Sequence, residues 1–374
     1  MTSLAFHVDQ LYYPVPGGIG TYVRRLIPAM TAADPELRVT LFHARFRDRG
    51  AGPPERWMGA FATVGLPQAI RTLYPSWAVA GRPALPPGLA SHHLLHAPSP
   101  SAVPPAGNRQ RLVVTVHDLA FVVQPRAFAA RWRLQFRAGL RRAVRSADAL
   151  ITVSRSTAQD LISRGGAEPS RVHVVPLAPS LPPSSQDVDD VLARHRLPRR
   201  YVLYAGTLEP RKNLLRLVHA YRRVAAEGAD QALVLAGPVG WRAGRLMDAL
   251  REPAPGRVVL TGRVPAADLD ALYRGADAFV YPSLYEGFGL PVLDALARGV
   301  PTLTSSTSSL PEVVGEAAVL ADPRSVPAIA GGLRQVLGDT ALADRLRREG
   351  PARAAAFSWE ETARRTLGVY RSIL

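Results

Sequence analysis

The chain has no cysteine and only one lysine. Without thiols, neither disulfides nor thiolate metal sites can hold the fold, and the redox compartment is left open. No uncharged apolar run reaches the ~18 residues that would span a bilayer. The N-terminus, MTSLAFHVDQ, lacks a basic region and soon meets Asp9, so it reads as a first buried strand rather than a secretion signal. A cytoplasmic protein is expected. No short-period repeat occurs, and the G-x-G-x-x-G fingerprint of dinucleotide binding is absent. Acids are scarce beside bases, 30 Asp and Glu against 46 Lys and Arg, for a formal net charge of +16. Such a balance favours polyanionic partners in general, whether nucleic acid, anionic lipid or phosphorylated substrates.

Of those 46 basic residues only Lys212 is lysine. Drift under a bias toward arginine could leave one lysine anywhere. The competing reading is chemical, because lysine is a compact, mobile point charge whereas arginine is a broad planar fork, and a phosphate site can accept one and refuse the other.

A chain of 374 residues with 47% apolar content is long enough for two domains, each with its own core. Short apolar, β-branched runs recur: LAFHVD, RVTLFHA, HHLLHAP, RLVVTVHD, ALITVS and RVHVVPL. After a Pro- and Ser-rich stretch following Pro176 the pattern restarts with YVLYAG, ALVLAG, RVVLTG, AFVYPS, PTLTSS and AAVLAD. Strands alternating with helical segments predict two doubly wound α/β domains, divided as residues 1–180 and 181–357. Ligands of such sheets lie beyond the carboxyl ends of the strands, so facing domains would place a site in the cleft between them.

The chemistry-bearing residues follow those strands. Gly17 and Gly18, in GGIGTYVRRL, allow close backbone approach to a ligand at a helix start, although on their own a plain loop is the better reading. Arg211 and Lys212 emerge after YVLYAG at the start of a helix, as a diphosphate pocket or a solvated basic turn. In YPSLYEGFGLPVLDALARGVP, Glu286 falls in a loop and Asp294 about one turn inside the next helix. Both can face a ligand there; N-terminal capping by acids is the plainer alternative. The pairs DVD (187–189) and DLD (268–270) imitate a metal-binding D-x-D but fall in a linker and a helical segment, and His92, His93 and His96 have no adjacent carboxylate. No metal site is expected.

Residues 126–148 hold seven arginines and no acid before Asp148. Phe128, Trp132, Phe136, Leu140 and Val144 recur every four residues, predicting an amphipathic helix that packs its apolar stripe on the first domain. Resting on an anionic membrane is the other use of such a helix.

Taken in order, GGIGTY, TVHDL, GTLEPRKNL, TGRV and YEGFGLPVLDALARGVP resemble glycosyltransferase family 4, retaining enzymes of the GT-B fold that use nucleotide-sugar donors. The resemblance covers nearly the whole chain and leans to the mannosyltransferases, which implies GDP-mannose, with UDP-glucose and UDP-N-acetylglucosamine as alternatives. It implies that Lys212 and Arg211 stabilise the leaving diphosphate, that Glu286 lies against the donor sugar, and that Asp294 holds the ribose. The last position is usually Glu, one methylene longer. Many members also have Arg where this chain has Thr207. His117, in VVTVHDLAF, matches a histidine that approaches the sugar. Gly17, Gly18, Gly289 and Leu290 would offer backbone amides to the diphosphate, and Arg263 would lie near the base. A C-terminal helix, residues 358–374, would cross back to the first domain.

The resemblance further implies front-face substitution without metal or cofactor, a hydroxyl acceptor, and no nucleic acid. Location would be cytoplasmic, with peripheral contact at the inner membrane face through residues 126–148 as the alternative to their packing on the first domain. Two other classes stay open on the sequence. A pyridoxal-phosphate phosphorylase would use Lys212, the only lysine, and a nucleic-acid-binding protein would exploit the positive charge.

Overall fold

A computed structural model describes residues 1–46 and 55–374. The chain divides into two units, Met1–Leu177 with Ser358–Leu374, and Ala178–Phe357.

In the first unit, β1 (Ser3–His7), β2 (Arg38–Arg45), β3 (Ala62–Ala69), β4 (Leu94–Ala97), β5 (Arg111–Val116), β6 (Ala149–Thr152) and β7 (Val172–Val174) form a seven-stranded sheet in the order β3-β2-β1-β4-β5-β6-β7. Every pairing is parallel. Strands β4 and β6 are buried at every residue, the state of a strand covered on both faces, which is why they read as mostly apolar runs. Strand β3, ATVGLPQA, has mostly exposed or half-buried residues and no run of its own. It lies at the sheet edge, where Pro67 and its missing N–H are tolerated, and pairing with β2 makes it a strand.

The second unit repeats the design. Strands β8 (Tyr201–Ala205), β9 (Ala232–Ala236), β10 (Val258–Gly262), β11 (Ala278–Tyr281), β12 (Thr302–Ser305) and β13 (Val319–Ala321) lie parallel in the order β10-β9-β8-β11-β12-β13. Each sheet is wound outward from its first strand and then restarted on the other side. The strand order therefore reverses between β1 and β4 and between β8 and β11, and ligands of open parallel sheets bind outside the carboxyl ends of such strands.

The helix Trp359–Ile373 belongs to the first unit. Ser358 caps it by accepting a hydrogen bond from the Glu361 amide, and the Thr362 hydroxyl donates to the Pro176 carbonyl at 2.8 Å. The arginine-rich segment forms a helix over Ala130–Ser146. Leu140 is buried, and Phe128, Phe136 and Val144 pack against the first unit's core. Trp132 and Leu134 remain 45% and 71% exposed. Among the described residues no helix is long and apolar enough to cross a membrane.

Candidate functional site

The strand-order reversal of the second unit brings together the loops after β8 and β11. Strand β8 runs into Gly206, a turn at Pro210–Lys212, and Asn213, whose left-handed φ of 63° precedes the helix Leu214–Ala226. The Asn213 amide donates to the carbonyls of Pro282 and Pro323, and the Leu284 amide donates to the Arg211 carbonyl at 2.9 Å. The two loops are thus fixed to each other before any ligand arrives.

Between them stands a compact charge cluster. Lys212 Nζ donates to Glu286 Oε1 and to the Tyr281 hydroxyl, both at 2.6 Å. Arg211 Nη1 donates at 2.8 Å to Glu286 Oε2 and to the Tyr285 carbonyl. Its other side meets Glu209 Oε1, 2.9 Å from Nη2 and 3.1 Å from Nε. Lys212 and Glu286 are each 7% exposed and Glu209 is 5% exposed. Burial alone would raise the Glu286 carboxyl, but the charges of Arg211 and Lys212, with the hydrogen bond from Lys212, pull it down to about 2. Burial pushes Lys212 down, as does neighbouring Arg211, against the pull of Glu286 and Glu209. Burial pushes Glu209 up, against Arg211 and Lys212. Two cations are therefore held at a strand-order reversal, balanced by two acids.

The backbone around Glu286 is also held. Its amide donates to Ser308 Oγ at 3.0 Å, and Ser308 has a left-handed φ of 57°, the kind of strained position that collects at functional sites. The helix Leu290–Ala297 starts just after Gly289, whose φ is 112°. That φ is one that residues with a side chain rarely adopt, and a Cβ there would also press on Leu310 at 2.7 Å. Arg263 is exposed just past the end of β10.

Asp294 departs from the sequence expectation of an acid turned to a ligand. Its Oδ1 accepts from the amides of Ser180 at 2.7 Å and Leu181 at 3.0 Å, and its Oδ2 accepts from the Ser180 hydroxyl. Burial raises its carboxyl above the usual value, opposed by Ser180, Leu181 and Arg298. The carboxylate is thus engaged in fastening the proline-rich stretch that opens the second unit. Asp270 fastens the same stretch through the Ser184 amide, while also pairing with Arg274 and Arg298. Asp268 pairs with Arg194 and His195, and Asp187 caps the helix Val188–Arg194. Asp189 pairs with Arg199 at 2.8 Å, so all four acids of the two D-x-D pairs have partners within the protein. Among the described residues no group of three or more His, Cys, Asp or Glu could hold a metal ion.

In the first unit, Gly17 begins the helix Gly17–Ala33 with a φ of 63°, followed by Gly18. A Cβ at Gly20 would lie 2.2 Å from Pro16, so this turn requires glycine. His117 follows β5. Burial pushes its imidazole down to about 4 despite a hydrogen bond with the Pro98 backbone, and its Nε2 is buried without a hydrogen-bond partner. The ring is neutral, and Nε2 is left as a bare acceptor once the Pro98 carbonyl takes the N–H of Nδ1.

Glu209, Tyr281 and Ser308 were not singled out from sequence. Glu209 sits inside the quoted GTLEPRKNL and Tyr281 closes a strand that was recognised, so position was legible for both while contact was not.

The chain matches the family description "Glycosyl transferases group 1" over residues 189–353 and "Glycosyltransferase Family 4" over 16–181. It is 31% identical to "O-antigen chain mannosyltransferase B" of Escherichia coli, over 99% of both chains. Among solved structures it resembles sucrose-phosphate synthase of Thermosynechococcus elongatus, with a TM-score of 0.74 and 22% identity over 100% of this chain and 99% of the other. It also resembles Anabaena HepE in complex with UDP and glucose, with a TM-score of 0.72 and 17% identity over 100% of both. The two doubly wound α/β domains expected from sequence are found. The phosphorylase and nucleic-acid readings lose their support, and the chain belongs to glycosyltransferase family 4, with mannosyltransferases among its relatives.

Proposed function

We propose that this glycosyltransferase moves an α-mannosyl group from GDP-mannose to a hydroxyl acceptor, with retention of configuration and without a metal or other cofactor. The observation that carries the reading is the placing of Arg211 and Lys212 on the two oxygens of Glu286 at a strand-order reversal. The mannosyl donor is taken from the likeness to an O-antigen mannosyltransferase.

In this reading the diphosphate brings its own negative charge to Arg211 and Lys212. Glu286, ionised and acceptor-only, is released to accept hydroxyls of the donor sugar. The bond from the anomeric carbon to the diphosphate breaks as the bond to the acceptor oxygen forms on the same face, and a diphosphate oxygen takes the acceptor proton. The two cations stabilise charge growing on the leaving group, and the protein contributes orientation rather than a covalent intermediate. Backbone amides at Gly17, Gly18, Gly289 and Leu290 add donors to the diphosphate. His117 Nε2 accepts from a sugar hydroxyl, and Arg263 lies near the base. Asp294 reaches the ribose only where Ser180 and Leu181 release it, so its share of the affinity is small.

Exposed Trp132 and Leu134, beside exposed Arg131 and Arg137, support peripheral contact with anionic lipid at the inner membrane face. Cosedimentation with anionic vesicles, lost in Trp132→Ala/Leu134→Ala and absent with neutral vesicles, is the expected result; equal pelleting of both proteins would remove the contact.

The donor is tested by calorimetric titration of metal-free protein with GDP and UDP, followed by GDP-mannose. Selective GDP binding supports the reading. Selective UDP binding moves the donor to the UDP-sugars, and no binding of either nucleotide by folded protein overturns the site.

A further inference from the structure

The unit that carries His117 also contains a buried chain of polar side chains that the proposed reaction does not use. Tyr370, on the Trp359–Ile373 helix, places its hydroxyl 2.5 Å from Nδ1 of His96 on β4. Nε2 of the same imidazole lies 2.7 Å from Thr115 Oγ1 on β5. That oxygen lies 3.0 Å from the hydroxyl of Tyr22 on the Gly17–Ala33 helix. Tyr22, His96 and Thr115 are 0% exposed and Tyr370 is 2% exposed. Burial, helped by the nearby His117, pushes His96 down to about 3, so its ring is neutral and carries one N–H. Whichever nitrogen holds that proton, the hydroxyls on either side can turn to complement it. One continuous set of hydrogen bonds thus joins two helices and two adjacent strands.

The chain ends at the candidate site. The Tyr22 ring stands edge-on to His117, with centroids 4.8 Å apart and planes at 80°. The Pro98 backbone hydrogen-bonds the imidazole, and the Thr157 hydroxyl meets the His117 carbonyl at 3.5 Å. The imidazole therefore has one polar anchor and one aromatic wall. That wall cannot slide or turn freely, because its hydroxyl is tied to Thr115. A phenylalanine would supply the same ring area without the tie, and a hydrogen-bonded buried polar chain fixes one geometry more tightly than apolar packing does.

We propose that Tyr22 is a positioning residue for His117, and that Tyr370, His96 and Thr115 hold Tyr22 in the orientation that leaves Nε2 of His117 without a protein partner, as an acceptor for a donor-sugar hydroxyl. This rests on the reading of His117 as a sugar contact. The C-terminal helix then reaches the sugar site through hydrogen bonds without touching the substrate.

The test compares dissociation constants for GDP-mannose and for GDP, measured by calorimetry on the full-length protein. The variants are His117→Ala, Tyr22→Leu, Tyr22→Phe, Tyr370→Phe and the double variant Tyr22→Leu/His117→Ala. Loss of the His117 contact weakens GDP-mannose by roughly three- to tenfold and leaves GDP unchanged, because GDP lacks the mannosyl group. Tyr22→Leu is expected to weaken GDP-mannose alone, and to add nothing once His117 is alanine. Tyr22→Phe and Tyr370→Phe keep their rings and are expected to show smaller losses of the same kind; they carry the test where Tyr22→Leu fails to fold. Equal weakening of GDP and GDP-mannose, additive losses in the double variant, or unaltered binding in the Tyr22 and Tyr370 variants would each overturn the positioning role. If His117→Ala itself leaves GDP-mannose binding unchanged, the sugar contact fails first and the positioning role with it.

Discussion

Lys212 and Glu286, 74 residues apart in sequence, meet in a 2.6 Å buried ion pair. Lys212 Nζ occupies one point between a carboxylate oxygen and the Tyr281 hydroxyl, whereas neighbouring Arg211 spreads its fork over Glu209, Tyr285 and Glu286. The one lysine and the arginine beside it thus divide the work by shape. Lys212→Ala is expected to weaken GDP binding at least about tenfold, or ~1.4 kcal/mol. Lys212→Arg should not restore it, because a planar guanidinium cannot enter the same space. Calorimetric titration checks both.

Glu286→Gln keeps the shape but removes the charge that balances two buried cations. Breaking a buried pair from one side costs about 3 kcal/mol or more. Nucleotide-free protein should lose stability on that scale in urea. GDP should restore more of it than in the unsubstituted protein, since the diphosphate supplies the missing negative charge, and melts with and without GDP read the difference directly.

Acid should begin to weaken the first unit well above the carboxylate range. Burial holds His96 down to about 3 and His117 down to about 4, against an ordinary value of 6.5. Because folded values are depressed, the unfolded chain takes up these protons first. The stabilisation is complete above pH 6.5 and declines as pH falls toward those values, at about 1.4 kcal/mol per pH unit for each histidine. Urea titrations between pH 7 and 4 should show that slope, and His117→Gln should remove about half of it.

Asp294→Asn is expected to cost about 1 to 3 kcal/mol of stability, through the lost contacts to Ser180 and Leu181. GDP affinity should change less than about threefold. A larger change in affinity than in stability would mean that the carboxylate reaches the ribose after all. Parallel denaturation and titration of the one variant decide this.

The strands were legible because a strand covered on both faces writes its burial into its own residues. LLHA at β4 and YVLYA at β8 are apolar enough to stand out unaided. Strand β3 was not legible: ATVGLPQA owes its conformation to β2. Lys212 and Glu286 could be picked out because each follows a recognisable strand, but their direct pairing could not. The partners of Asp294 were hidden in the same way: Ser180 and Leu181 lie 114 and 113 residues away in a stretch that reads only as linker. Glu209 and Tyr281 acquire importance solely from neighbours brought in by the fold.

The first unit is completed by residues 358–374, which has a consequence for the order of events at the ribosome. Synthesis runs from the N-terminus, so the unbroken segment 178–357 is fully translated before the first unit has its last helix. Until then the pocket for Tyr370 on His96 is empty, and the surface of the Gly17–Ala33 helix that receives Trp359–Ile373 is uncovered. Translation begins the first unit earlier, but the second can be finished first. The helix that completes the first unit is the one whose tyrosine ends the buried chain beside His117.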